Sequence, residues 1–300
     1  MRILMTGASG LVGTALAAEL RAAGDTVNRF VRANADATAG AGDVAWNPET
    51  GEMNLAAAEG ADAIVNLAGA SIGGGRWTAK RKALLRSSRV DLTEHLVAAL
   101  AQLKSPPKIF VSASAIGYYG DRGEESLTEA SSSGQDFLAQ ICRDWEAAAI
   151  KGEQFGMRTV IARFGIILSK KGGALPPMLT PFKLGGGGRI GSGKQWMSWV
   201  ALEDAVTALR QAITEPAMHG PINVVAPNPA RNAEFTKALA RVLHRPAILP
   251  VPAFTLRLIL GEMADALLLS SQRVLPEKLT QHRFQFQYAD LESALRRAIQ

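Results

Sequence analysis

The chain has 300 residues, 47% of them hydrophobic and 20% charged, an ordinary balance for a globular protein with a sizeable core. Its formal charge of +6 comes from 33 basic against 27 acidic side chains, and the two signs interleave along the chain, which argues against a nucleic-acid partner. The single cysteine, Cys142, excludes an intrachain disulfide and fits a reducing cytoplasm. The most apolar late stretch, "FTLRLILGEMADALLLSS", carries Arg257, Glu262 and Asp265 and does not read as a membrane span.

The opening "MRILMTGASGLVG" reads as strand, tight turn and helix. Ile3, Leu4 and Met5 form an apolar run, and beyond Gly7 the residues Leu11, Val12, Leu16 and Leu20 recur at helical spacing. Gly7 permits the sharp turn, Gly10 lets a diphosphate approach the backbone, and Gly13 lets the helix pack on the strand. Ser9, Leu11 and Val12 sit where amides at a helix N-terminus favour a phosphate. With a core strand at residues 3–5, no cleaved leader is expected.

A second strand is expected in "DTVNRFV". Its end carries Arg32, 19 residues after Gly13, and no acidic residue lies in the segment. A carboxylate here would take ribose hydroxyls, whereas a guanidinium binds a 2′-phosphate in bidentate fashion, so NADP(H) is the expected cofactor and Arg29 the second candidate ligand. Later strands fall in "DAIVNLAGA", "PKIFVSASA" and "MRTVIARFG", separated by helical segments over residues 52–59, 78–103 and 134–151. This alternation predicts an α/β fold, a doubly wound parallel sheet of Rossmann type with its ligand at the carboxyl ends of the strands. At two of those ends Leu67, Ala68 and Gly69, and then Ser112 and Ala113, offer small residues against which a ribose or nicotinamide can lie; the hydroxyls of Ser112 and Ser114 are candidates to reach a bound carbonyl. The basic stretch "RWTAKRKALLRSSR" puts Lys82, Arg86 and Arg89 on one helical face, either a solvated surface or a positive rim for a phosphorylated ligand.

From residue 169 a Gly- and Pro-rich excursion runs to about residue 200, after which "LEDAVTALRQAI" and "PINVVA" read as a helix and a strand rejoining the sheet. The expected division is a nucleotide-binding domain over 1–225 and a small, mostly helical C-terminal substrate lobe over 226–300. "GRIGSGKQ" imitates a phosphate loop but has Gln195 where a hydroxyl must hold magnesium, and His95, His219, His244 and His282 lack ligand spacing, so neither ATP nor a metal is expected. Trp196, Trp199 and Arg189 are candidate substrate contacts.

The stretches "NLAG", "GRWT", "SASAIGYYG", "DFLAQICRDWE" and "GSGKQWMSWVALEDAV" resemble the extended and atypical short-chain dehydrogenase/reductases. More narrowly they resemble the epimerase/dehydratase-like subgroup with a small C-terminal domain of unknown function, and the similarity runs from residue 1 to residue 298. The resemblance implies a Rossmann domain binding NADP(H), a small-molecule substrate and, through the long helices, a homodimer. Members with established chemistry carry a YxxxK pair on the helix after the fifth strand, where the lysine lowers the tyrosine pKa. Aligning Glu146 with the glutamate that follows that pair puts Leu138 and Cys142 at the two positions; a shift of one gives Phe137 and Ile141. Neither register supplies a proton carrier. Tyr118 and Tyr119, just beyond Ser114, become candidate proton donors, followed on the same loop by Asp121, Glu124 and Glu129. A tyrosine with a pKa near about 10 donates a proton more readily than it removes one, which suits carbonyl reduction. The expected function is therefore an atypical NADP(H)-dependent oxidoreductase. The alternatives are an inactive NADP(H) sensor or scaffold and, third, a nucleotide-sugar epimerase or dehydratase.

Overall fold

Ile3, Leu4 and Met5 are fully excluded from solvent because their strand lies inside a seven-stranded sheet covered on both faces. The computed structural model describes residues 1–32 and 40–300. The sheet strands are β1 (Arg2–Thr6), β2 (Thr26–Arg32), β3 (Val44–Trp46), β4 (Ala63–Asn66), β5 (Ile109–Ala115), β7 (Arg158–Phe164) and β11 (Gly220–Val224). They lie in the order β11-β7-β5-β4-β1-β2-β3, every neighbouring pair parallel. Three further two-stranded pairs join β6 (Ser126–Leu127) to β13 (Arg273–Val274), β8 (Ile166–Leu168) to β10 (Trp199–Ala201), and β9 (Trp196–Met197) to β12 (Ala230–Arg231).

Successive side chains of a strand point to opposite faces. Ile3, Met5, Val65 and Val111 therefore meet Leu16 and Leu20 of helix α1 (Leu11–Ala22) and Leu209 and Ile213 of α7 (Leu202–Thr214). Leu4, Ile64 and Phe110 meet Leu96 and Leu100 of α4 (Val90–Leu100) and Ala149 of α5 (Phe137–Ile150) on the other face. The expected Rossmann-type architecture is the one observed. Residues 52–59 contract to α2 (Leu55–Ala58), started by Asn54, whose side chain accepts from the Ala57 amide at 3.1 Å. The three-residue β3 was too short to leave a periodic signal.

The single helix expected over 78–103 is two helices, α3 (Ala79–Ser87) and α4, broken at Ser88 and Arg89. Arg89 leaves the helical path at φ −121° and turns its guanidinium back to the end of β4, donating to the Ala70 carbonyl at 2.9 Å, while Ser88 Oγ accepts from the Ala70 amide at 3.1 Å. The helical period is thus interrupted by two side chains satisfying the backbone of a distant loop.

Beyond the sheet, α6 (Leu175–Lys183), α8 (Asn232–Leu243) and α12 (Leu291–Ile299) share a second core built on Leu179, Phe182, Trp199, Phe235, Leu239 and Leu295. Between them α9 (Ala253–Leu260), α10 (Glu262–Ala264) and a π-helical turn at Asp265–Leu269 lie against α3 and the N-terminus of α5, ahead of α11 (Glu277–Gln281). No described helix is long and apolar enough to cross a membrane, and among the described residues no cluster of His, Cys, Asp and Glu is able to hold a metal ion.

Candidate functional site

The turn after β1 is built so that backbone lies against backbone. Gly7 has φ +64°, and a Cβ there would stand 2.6 Å from the Leu67 carbonyl carbon; a Cβ on Gly13 would stand 2.2 Å from the Gly7 carbonyl oxygen. Thr6 Oγ1 draws the next strand end in, accepting from the amides of Leu67 and Ala68 at 3.1 Å each and donating to Asn66 Oδ1 at 2.7 Å. Gly10 is the N-cap of α1 and has no side chain to spend on the helix end, and the first turn holds no acidic residue. Its own amide bonds to the Gly7 carbonyl at 3.0 Å, which leaves the Leu11, Val12 and Gly13 amides without intrahelical partners beside exposed Ser9. A turn with no room for a Cβ at Gly7 or Gly13, its helix-start amides lacking intrahelical partners, fits a dinucleotide diphosphate.

Two arginines on β2 have different fates. Arg29 is neutralised by Asp43, its Nη2 at 2.7 Å and Nε at 3.0 Å from Oδ2, and that carboxylate raises its pKa. Arg32, exposed at the strand end opposite Trp46, has no acidic partner among the described residues. Of the three cations expected on one face, Lys82 pairs with Glu262 and Arg86 with Asp91, while Arg89 turns inward. Arg89 forms no ion pair among the described residues, its Cζ would lie 3.2 Å from a Cβ on Gly69, and burial pulls its pKa below the ordinary arginine value. Helical spacing places Arg89 on the outer face with Lys82 and Arg86; its inward turn departs from that expectation, and its signal in the sequence is the "SSR" interruption of the helix.

Ser112 sits in a buried polar network, its Oγ accepting from Asn66 Nδ2 at 3.3 Å, while the same amide bonds Thr93 at 2.8 Å. Two residues further along β5, beyond buried Ala113, Ser114 donates to Glu146 Oε1 at 2.7 Å. Glu146 is in turn gripped by Arg163 through Nε–Oε1 at 2.8 Å and Nη2–Oε2 at 2.7 Å, both side chains being under a tenth exposed. Burial opposes the charge on Arg163, but Glu146 and Tyr119 together raise its pKa above the ordinary value.

The two tyrosines separate here. Tyr119 is fully buried; its hydroxyl donates to Asn223 at 2.7 Å and accepts from Arg163 at 2.9 Å, and burial pushes its pKa up to about 12. It belongs to the core, with its hydroxyl spent on Asn223 and Arg163, a correction to its expected place among the proton donors. Tyr118 is half-buried with Arg163 Cζ 3.6 Å from its ring centroid, and its hydroxyl makes no hydrogen bond among the described residues. Trp199 is likewise core, with its indole N–H on the Asn228 carbonyl, whereas Trp196 lies between Arg231 and Arg273. Of the loop acids, Glu124 is held by Arg231 and Trp196 with its pKa lowered to about 2, Asp121 accepts from the Ser271 amide, and Glu129 from those of Asn223 and Lys278.

The register of α5 is decided by Gly117. A Cβ there would lie 3.4 Å from Leu138 Cβ and 4.0 Å from Cys142 Sγ, and Cys142 also touches Ser114, so Leu138, Cys142 and Glu146 form the face toward β5. Phe137 and Ile141 face Trp77 instead, the Phe137 and Trp77 rings 5.4 Å apart. The Cys142 thiol is pushed up from 9.0 to about 12 by burial and by Glu146. The neutral thiol is therefore favoured in the folded state; its contribution to stability is complete below pH 9.0 and is lost as the pH rises toward about 12. We expect the folded protein to resist iodoacetamide at pH 8 and to take up one equivalent only once unfolded in guanidinium; equal labelling rates in the two states would contradict the burial.

Residues 3–226 match the NAD dependent epimerase/dehydratase family, and residues 251–298 match a domain of unknown function, DUF1731. The epimerase family protein Mb2239 of Mycobacterium bovis is 44% identical over 293 residues, 98% of this chain and 96% of its own. YfhF of Bacillus subtilis is 42% identical across 100% of this chain and 98% of its own. The human epimerase family protein SDR39U1, crystallised with NADPH, superposes with a TM-score of 0.88 at 32% identity over 99% of each chain. With the family match covering most of its length and these relatives aligned from end to end, the chain belongs to the NAD dependent epimerase/dehydratase family and combines that domain with DUF1731.

Proposed function

We propose that the protein is an NADP(H)-dependent oxidoreductase that reduces the carbonyl group of a small molecule. The observation that carries this reading is the contrast on β2: Arg29 is neutralised by Asp43, whereas Arg32, exposed at the strand end, has no acidic partner among the described residues. The amides of Leu11, Val12 and Gly13 would hold the diphosphate, Arg89 would add a positive charge beside Gly69, and Arg32 would take the 2′-phosphate, which a carboxylate at that strand end would repel. The NADPH carried by the human relative supports the choice of cofactor.

When bound, NADPH would supply the hydride for a carbonyl carbon, and the carbonyl oxygen would then need one proton from the protein or solvent to become the alcohol. Ser114 and Tyr118 are this chain's protic groups for that oxygen. Ser114 has to swing its hydroxyl from Glu146 to donate outward, and Glu146 keeps both oxygens on Arg163 when it does. The direction follows from what stands in place of the usual pair: Leu138 carries no proton and Cys142 is held neutral, so neither removes a proton from an alcohol. The same two residues favour a second reading, a protein that holds NADPH without turnover.

Arg32→Ala is expected to raise the Kd for NADPH about 10- to 100-fold, the worth of one charge-assisted contact, and to leave that for NADH unchanged. Equal losses for both cofactors, or no saturable NADPH fluorescence change at micromolar protein, would end the proposal. A single turnover of bound NADPH by any member of a ketone and aldehyde panel separates the oxidoreductase from the silent binder.

A further inference from the structure

The loop over residues 188–195, which imitates a phosphate loop in sequence, meets α8 through its carbonyls. The Asn232 amide donates to the Gln195 carbonyl and the Ala233 amide to the Gly193 carbonyl, both at 2.9 Å, and Glu234 Oε2 accepts from the Arg231 amide at 2.8 Å. The start of α8 is thus spent on this loop. Arg189 of the loop instead lines a pocket of about 120 Å³ on the flank of α8, together with Thr236 and Lys237. Lys237 and Ala247 join this pocket to an open groove of about 670 Å³, walled by α8, α12 and residues 244–247. None of the lining residues belongs to the glycine turn, β5 or α5.

Five Arg and Lys side chains line the joined space against one carboxylate, Glu292. That carboxylate accepts from Arg241 Nε at 2.8 Å and from Arg296 Nη2 at 2.6 Å, and the two guanidiniums hold its pKa below the ordinary glutamate value. One negative charge neutralises one of the two guanidiniums and keeps both beside the groove. Arg189, Lys237 and Arg245 have no acidic partner among the described residues; Arg189 donates to the Ser192 carbonyl at 2.7 Å. A cleft lined so largely by one sign of charge concentrates anions. Its polar lining includes Thr236, only 5% exposed, whose hydroxyl makes no hydrogen bond among the described residues. Thr207, Thr214 and Thr280 each donate to the carbonyl four residues back, as helical threonines can, and Thr236 does not. A buried hydroxyl left unspent at the wall of a basic pocket is a donor in need of a ligand.

We propose that this groove is a second ligand site, for a small molecule carrying two or more linked phosphates. Lys237, Arg245 and the Arg241 and Arg296 guanidiniums would hold the phosphates, guanidinium forks matching their oxygens, and Arg189 with the Thr236 hydroxyl would bind at the narrow end. A single phosphate brings about two negative charges, fewer than the excess of basic side chains here, so a linked pair is the better match. The groove also has the size of a small-molecule site, roughly 300–1,000 Å³. The proposal is independent of the cofactor reading, because the two places share no residue.

The test is calorimetry on the full chain with inorganic pyrophosphate, orthophosphate and a hexaglutamate peptide as probes. Pyrophosphate is expected to bind saturably and about tenfold or more tighter than orthophosphate. Lys237→Ala with Arg245→Ala, both at exposed positions, is expected to weaken pyrophosphate binding about tenfold or more. Thr236→Val leaves every charge in place and removes one hydroxyl, and should weaken binding about three- to tenfold. No saturable heat from pyrophosphate, or an affinity unaltered by Thr236→Val, would reduce the groove to diffuse attraction and overturn the proposal. A loss produced by Gly13→Ala and not by the groove variants would place the anion at the glycine turn and overturn it equally. Hexaglutamate binding as tight as that of pyrophosphate would assign the groove to an acidic protein segment, again against the proposal.

Discussion

Glu146→Ala is expected to lower the unfolding free energy by about 3–5 kcal/mol, the cost of leaving a buried guanidinium without its counter-ion. Arg163 is 3% exposed and directs both Nε and Nη2 to Glu146, so removal of the carboxylate leaves two donors facing a cavity with no water path to hydrate the charge. The loss is a large part of the roughly 5–15 kcal/mol that holds a typical domain folded, so a steep drop in the denaturant midpoint should accompany it. Ser114 loses its acceptor in the same variant, and Tyr119 loses part of the network that places its hydroxyl between Arg163 and Asn223. Replacing both partners, Glu146→Leu with Arg163→Met, is expected to recover much of the loss, because the desolvation cost of each ion disappears with the ion. A fall of less than about 1 kcal/mol in Glu146→Ala would show that the pair is hydrated, contrary to its burial.

Gly13→Ala is expected to raise the Kd for NADPH about a hundredfold or more and to cost roughly 1–3 kcal/mol of stability. The added methyl would lie 2.2 Å from the Gly7 carbonyl oxygen and 2.8 Å from the Ala8 Cα, both backbone atoms that no rotamer change can move. Relief requires α1 to shift away from the turn, which carries the Leu11 and Val12 amides off the position proposed for the diphosphate and opens the packing of Leu16 and Leu20 on the sheet. Gly10→Ala is the control: its methyl meets nothing closer than the Gly7 oxygen at 3.2 Å, so its stability loss should be the smaller. Equal stability for wild type and Gly13→Ala in thermal unfolding would mean that the turn is looser than its geometry.

The glycine turn between β1 and α1 was legible in the sequence because its signals are local. Three glycines within seven positions, an apolar run before them and helical spacing after them report on a single strand, turn and helix, and the strand and helix order that follows is carried by short periodic stretches in the same way. The missing proton carrier at the family's catalytic pair was equally plain, since it needs only the identities of residues 137–146. What tertiary structure alone decided are the pairings between positions far apart in the chain. Asp43 neutralises Arg29, Arg89 turns back to the Ala70 carbonyl, and Arg163 and Asn223 hold Tyr119 in the core while Tyr118 packs its ring over Arg163. Gly117 selects Leu138 and Cys142 as the face toward Ser114, a choice between two registers that the residues of α5 leave open. Periodicity states which face of an element is apolar; which charge meets which carboxylate, and which hydroxyl remains unspent, depends on how the elements are stacked.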